Sequence, residues 1–158
     1  MKFLKTLAIV LMTVGFASSV YAADSDRYVV KQSKKNYEKT VECVEKNIAE
    51  LGKGGAQLFN KIDHYENAKK AGGNEAMGKG TLFIFGNPKS GSNLMSKHPL
   101  FGIELPLKIY VYEENKKVYV AYIKTTNTAK YHKGSEKVPF VQGSEKMLEN
   151  IATKATSK

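Results

Sequence analysis

The chain has one cysteine, Cys43, in 158 residues. No internal disulfide can staple the fold, so its stability has to come from a buried core. The three histidines, His64, His98 and His132, show neither HxH nor HxxxH spacing and have no cysteine near them, so no metal site is expected. A Gly-x-Ser-x-Gly elbow is absent, and Ser90-Gly91-Ser92 has no neighbouring histidine, which removes the usual nucleophile arrangement. Gly72-Gly73, Gly78 and Gly80 lack the spacing and the Gly-Lys-Ser/Thr ending of a phosphate loop. No cofactor is expected. Acidic residues are also scarce, 15 against 25 basic, for a net charge of +10. The lysines are scattered, and the aromatic and basic-helix patterns of nucleic-acid readers are missing. The charge therefore predicts a solvated basic surface, with an anionic envelope ligand as the functional alternative and no nucleic-acid partner.

Long apolar runs are rare too; there is one. Lys2 and Lys5 precede an apolar stretch at 7–17, and Val20 and Ala22 put small residues three and one positions before Ala23. This is the pattern of a cleaved export signal over 1–22. The run is about half of the ~20 residues a spanning helix needs. No cysteine follows it to take a lipid. Cleavage would leave a single domain over 23–158 with a net charge of +8, periplasmic or secreted and without a transmembrane anchor. A chain of that size buries roughly two-thirds of its unfolded surface, enough to fold unaided.

What remains has readable periodicity. Tyr28-Val29-Val30 is β-prone, and Asn36 can cap a helix over 36–51, where Tyr37, Val41, Val44, Ile48 and Leu51 form one stripe. Cys43 falls on the flank of that stripe. Segment 56–63 reads as a strand, 64–79 as a loop with a helical turn, and 81–85, apolar on both faces, as an interior strand. The 88–102 connection has room for a short helix near 92–97. Strand 105–113 alternates, with Leu105, Leu107, Ile109 and Val111 on one side and Lys108, Tyr110 and Tyr112 on the other. A two-residue turn at Asn115-Lys116 would return the chain as strand 118–123, pairing Tyr112 with Tyr119 and Tyr110 with Ala121. A helix over 144–154 closes the order β-α-β-β-β-β-α. That order predicts an α+β fold, a mostly antiparallel sheet with helices on one face. The opposite face, carrying Tyr110, Tyr112, Tyr119 and Ile123, is more apolar than a free face usually is.

Ile62-Asp63-His64, Leu82-Phe83-Ile84-Phe85-Gly86-Asn87-Pro88-Lys89-Ser90-Gly91 and Ile103-Glu104-Leu105-Pro106-Leu107-Lys108 together resemble the domain of unknown function 302 (DUF302) family. The resemblance spans about residues 32–154. It implies a fold similar to that of the TATA-box-binding protein, often dimeric, and no established activity; likeness to a DNA-binding fold does not imply DNA binding. The chain departs from the family after the hairpin. His132 is kept, but Thr125 stands where members often have proline and Tyr131 where they have arginine.

The polar residues that could form a ligand-binding site are Asp63, His64, Asn87, Glu104, Lys108 and His132. In the plain structural reading Asp63 and Asn87 organise loop backbones, and Lys108 pairs with Glu104 on the surface. Two functional expectations stand beside it. The first is a non-catalytic ligand-binding or accessory protein, a homodimer that an intersubunit Cys43 disulfide could link. The second is a small periplasmic enzyme using Asp63 or His64 with Lys108 for acid–base chemistry.

Overall fold

The computed structural model describes residues 26–158. The expected export signal over 1–22 lies outside the described residues. Five strands form one antiparallel sheet in the order β1-β5-β4-β3-β2. They are β1 (Tyr28–Gln32), β2 (Gln57–Asp63), β3 (Gly80–Gly86), β4 (Leu107–Glu114) and β5 (Lys117–Ile123). The long helices are α1 (Tyr37–Glu50) and α5 (Pro139–Thr156). Three short helices join them, α2 (His64–Lys70), α3 (Pro88–Met95) and α4 (Thr125–Ala129). The fold is α+β, as the element order predicts.

The first long helix forms where its apolar stripe and its cap agree. Asn36 Oδ1 accepts from Lys39 N at 2.9 Å, and Tyr37, Val44 and Ile48 bury the face of α1. Leu148, Ile151, Ala152 and Ala155 do the same on α5. That helix starts five residues before the expected 144, because Pro139 takes its first turn, where a missing N–H costs nothing. Both stripes lie on Phe83, Phe85, Leu107, Ile109, Val111, Val118, Val120 and Tyr122 of the sheet. Each such side chain withdrawn from water is worth about 1.5–3 kcal/mol. Buried hydroxyls are paired, with Tyr37 Oη and Thr81 Oγ1 2.7 Å apart and Ser33 Oγ and Thr40 Oγ1 2.8 Å apart.

The hairpin register is as expected: Tyr112 pairs with Tyr119, Val111 with Val120 and Tyr110 with Ala121. Asn115 and Lys116 both take positive φ, 51° and 62°, as a two-residue turn of this hand requires. β4 begins at Leu107, two residues later than expected, after the cis Leu105-Pro106 peptide. A second, smaller core of Leu94, Phe101, Ala129 and Val141 lies beneath α3, α4 and the start of α5. Residues 26–158 thus hold all five paired strands and both cores. No helix among the described residues is long and apolar enough to cross a membrane.

Candidate functional site

Strand alternation decides which side chains leave the core. On β3, β4 and β5 every second residue points away from α1 and α5, which puts Leu82, Lys108, Tyr110, Tyr112, Tyr119, Ala121 and Ile123 on the other face. Tyr110, Tyr112 and Tyr119 stack in a row there. Successive ring centroids are 5.3 Å apart, with interplanar angles of 11° and 23°. His64 meets the Tyr110 ring edge-on at 5.9 Å and 77°. Tyr110 and His64, with Tyr28, Met77, Leu82, Lys108 and Ile123, border an open concavity of about 510 Å³, and Tyr112 and Tyr119 continue the row beyond it. Its lining is mainly apolar and aromatic, and its basic groups are the His64 imidazole and the Lys108 ammonium. A lining of that kind can hold a planar or aliphatic body and orient it through one anionic or hydrogen-bonding group.

The six expected site residues divide into four places. His64 and Lys108 share the concavity. Asp63 ends β2, and its Oδ1 caps α2 by accepting from Glu66 N at 2.9 Å. Asn87 caps α3 through Oδ1, which accepts from Ser90 N at 3.2 Å, while its Nδ2 donates to Gly54 O at 2.8 Å. It also borders a separate apolar cavity of about 290 Å³ walled by Phe59, Met95, Leu105, Pro106 and Phe140. Glu104 and His132 form the fourth place. Their Oε1 and Nε2 atoms are 3.3 Å apart, and the His132 ring packs on Phe101 at 4.7 Å.

The expected Lys108–Glu104 ion pair is not made. Glu104 follows the 3-10 turn Pro99–Ile103 and does not lie on the strand, so it does not share a strand face with Lys108. The Lys108 ammonium donates to the Pro106 and Glu104 carbonyls at 3.0 and 3.3 Å, and the Glu104 carboxylate turns to His132 instead. No hydrogen bond joins Asp63, His64 and Lys108 to one another among the described residues. Nor do these residues contain a cluster of three or more His, Cys, Asp or Glu side chains able to hold a metal. Cys43 is half-buried between the long helices, with Sγ 3.5 Å from the Lys154 carbonyl.

Sequence reasoning missed Met77 and Tyr28 as lining residues. Met77 sits in a short 3-10 turn, Glu75–Met77, inside a glycine-rich stretch without periodicity. Tyr28 reaches the concavity because edge strand β1 pairs with β5, Tyr28 opposite Ile123, a neighbour 95 positions away.

The topology matches that of a solved structure titled "uncharacterized conserved protein DUF302 from Bacillus stearothermophilus". The TM-score is 0.70 over 81% of this chain and 97% of that one, at 18% identity, a likeness of fold. The DUF302 profile matches residues 29–155, and the chain belongs to that family, a domain of unknown function. Among curated proteins, it is 33% identical over 73 residues to the fluoride-specific ion channel FluC 1 of Brucella suis biovar 1, covering 46% of this chain and 28% of that protein. FluC 2 of Brucella melitensis biotype 1 matches equally well, at 33% over 73 residues and 26% of its length. The chain therefore spans about a quarter of the curated relatives it matches.

Proposed function

We propose that the chain is an exported, non-catalytic binding domain that acts as a homodimer in the periplasm or outside the cell. Its ligand is a small molecule with an apolar or aromatic body and one anionic group. The observation that carries the reading is the 510 Å³ concavity on the sheet face opposite the long helices, with Lys108 and His64 as its basic groups. Tyr110, the end of the stacked row, offers the concavity flat apolar surface at little entropic cost, since its ring has few rotatable bonds to freeze. Binding is favoured over acid–base catalysis because Asp63 Oδ1 is taken up in capping α2 and the Lys108 ammonium is steered by two carbonyls. Tyr28 and Val30, exposed on edge strand β1, are apolar surface that a second copy would cover.

Native mass spectrometry of the protein recovered from the exported fraction tests this directly. The expected result is a dimer mass with a bound small molecule that is lost in Lys108→Met and Tyr110→Ala. A ligand-free monomer overturns the reading. Because the curated relatives are named for fluoride, fluoride belongs among the anions titrated. Binding of fluoride alone, unaffected by Tyr110→Ala, would remove the apolar part of the proposal.

A further inference from the structure

We propose that two neighbouring loops, residues 97–104 and 130–137, dock the protein onto an anionic lipid bilayer. Leu100, Ile103 and Tyr131 are 71%, 78% and 80% exposed, while no other large apolar side chain among the described residues exceeds 46%. All three lie on these loops. Their exposure is not slack in the chain, because the same loops insert Phe101 and the preceding Ala129 into the smaller core, at 1% and 0% exposure. The 3-10 turn Pro99–Ile103 therefore has a defined inner side, and Leu100 and Ile103 stand off it.

The loops are held together as one surface. Glu104 bonds His132 at 3.3 Å, Phe101 packs on the same ring, and a Cβ at Gly134 would lie 3.6 Å from His98 Cε1. The charge around the apolar tips has one dominant sign. Lys97, Lys130, Lys133 and Lys137 are exposed, and none makes an ion pair among the described residues. Both local carboxylates have partners within the loops: Glu104 has His132, and Glu136 Oε2 accepts from Gly134 N at 2.9 Å. Apolar tips ringed by unpaired lysines fit a lipid surface. The side chains enter the acyl boundary while the ammonium groups stay with the headgroup phosphates, and the two effects add. This surface is distinct from the open sheet face, so it holds or fails independently of the proposed ligand.

Sedimentation of residues 26–158 with lipid vesicles tests it. Vesicles of phosphatidylethanolamine with about a third phosphatidylglycerol should bind the protein at least about tenfold more tightly than phosphatidylcholine vesicles, and high salt should abolish the difference. The variant Leu100→Ser/Ile103→Ser/Tyr131→Ser should bind more than about tenfold more weakly with an unchanged melting temperature, since these side chains support no core. Lys97→Gln/Lys133→Gln should also lose about tenfold, while Lys34→Gln/Lys35→Gln on the far segment should lose little. Absence of binding to the anionic vesicles overturns the proposal. So does equal binding by the apolar triple variant, or equal loss from both lysine pairs, either of which would mean diffuse charge alone. If the triple variant melts early, the contrast between the two lysine pairs decides.

Discussion

The Tyr110 ring stands over the backbone of Gly80 on the neighbouring strand, so close that a Cβ on Gly80 would lie 3.0 Å from Tyr110 Cζ. Gly80 is paired with Tyr112, which makes Tyr110 its diagonal neighbour in the sheet. The absence of a side chain at residue 80 thus lets the first ring of the tyrosine row lie flat against the sheet and shape one wall of the concavity.

Gly80→Ala should therefore displace Tyr110, which Tyr112 and His64 hem in. The expected cost is about 1–3 kcal/mol of overpacking. A urea titration measures that loss, and near-UV circular dichroism should report the altered tyrosine stack. An unchanged tyrosine spectrum would show that the stack stays in place and that the added methyl is accommodated elsewhere.

Asp63 distinguishes capping from chemistry. Asp63→Ala should cost about 1 kcal/mol by leaving Glu66 N without its acceptor, whereas Asp63→Asn keeps a capping oxygen and should stay within about 0.5 kcal/mol of the parent. Thermal melts of the pair are sufficient. Asn87→Ala should cost about 1–2 kcal/mol, because it removes both the α3 cap and the bond to Gly54.

Phe83 is fully buried beneath the long helices, and Phe83→Ala should cost about 3–5 kcal/mol. For a domain of this size that is a large part of its total stability. The urea midpoint should fall sharply with little change in slope.

Acid should unfold the protein partly through Glu149. Its carboxylate bonds Lys31 and accepts from Tyr122 Oη at 2.6 Å, and these bonds hold its pKa below the usual 4.5, Lys31 contributing most. The unfolded chain therefore takes up this proton at a higher pH than the folded one. The stabilisation is complete above about 4.5 and is lost as the pH falls through the lowered folded value. Glu149→Gln should flatten the pH dependence of the melting temperature in that window. Tyr122 shows the converse, since burial and the Glu149 bond raise its pKa and keep the phenol neutral into alkali.

How much of this could be read in advance depended on the range of the interaction. The stripe and cap of α1 lie within 16 residues, and the hairpin register follows from alternation around a two-residue turn, so both were legible. In the sequence α2 looks like a loop with one turn, because seven residues beside a glycine-rich stretch carry no periodicity. The expected Lys108–Glu104 pairing fails because β4 does not extend back through Pro106. Had the strand begun at 105, Glu104 and Lys108 would have been neighbours on one face. Beginning at 107, it leaves Glu104 free to meet His132, 28 residues on.

Residue order alone suffices for the two long helices, the alternating strands and the family, because helices and hairpins are built from contacts a few residues apart. Which strands become neighbours, and what stands in the concavity, is settled only by packing. β1 lies beside β5 and His64 beside Tyr110 because α1 and α5 need one continuous apolar sheet to cover. Burying that face fixes the strand order, and the strand order in turn gathers distant polar and aromatic side chains on the face left open.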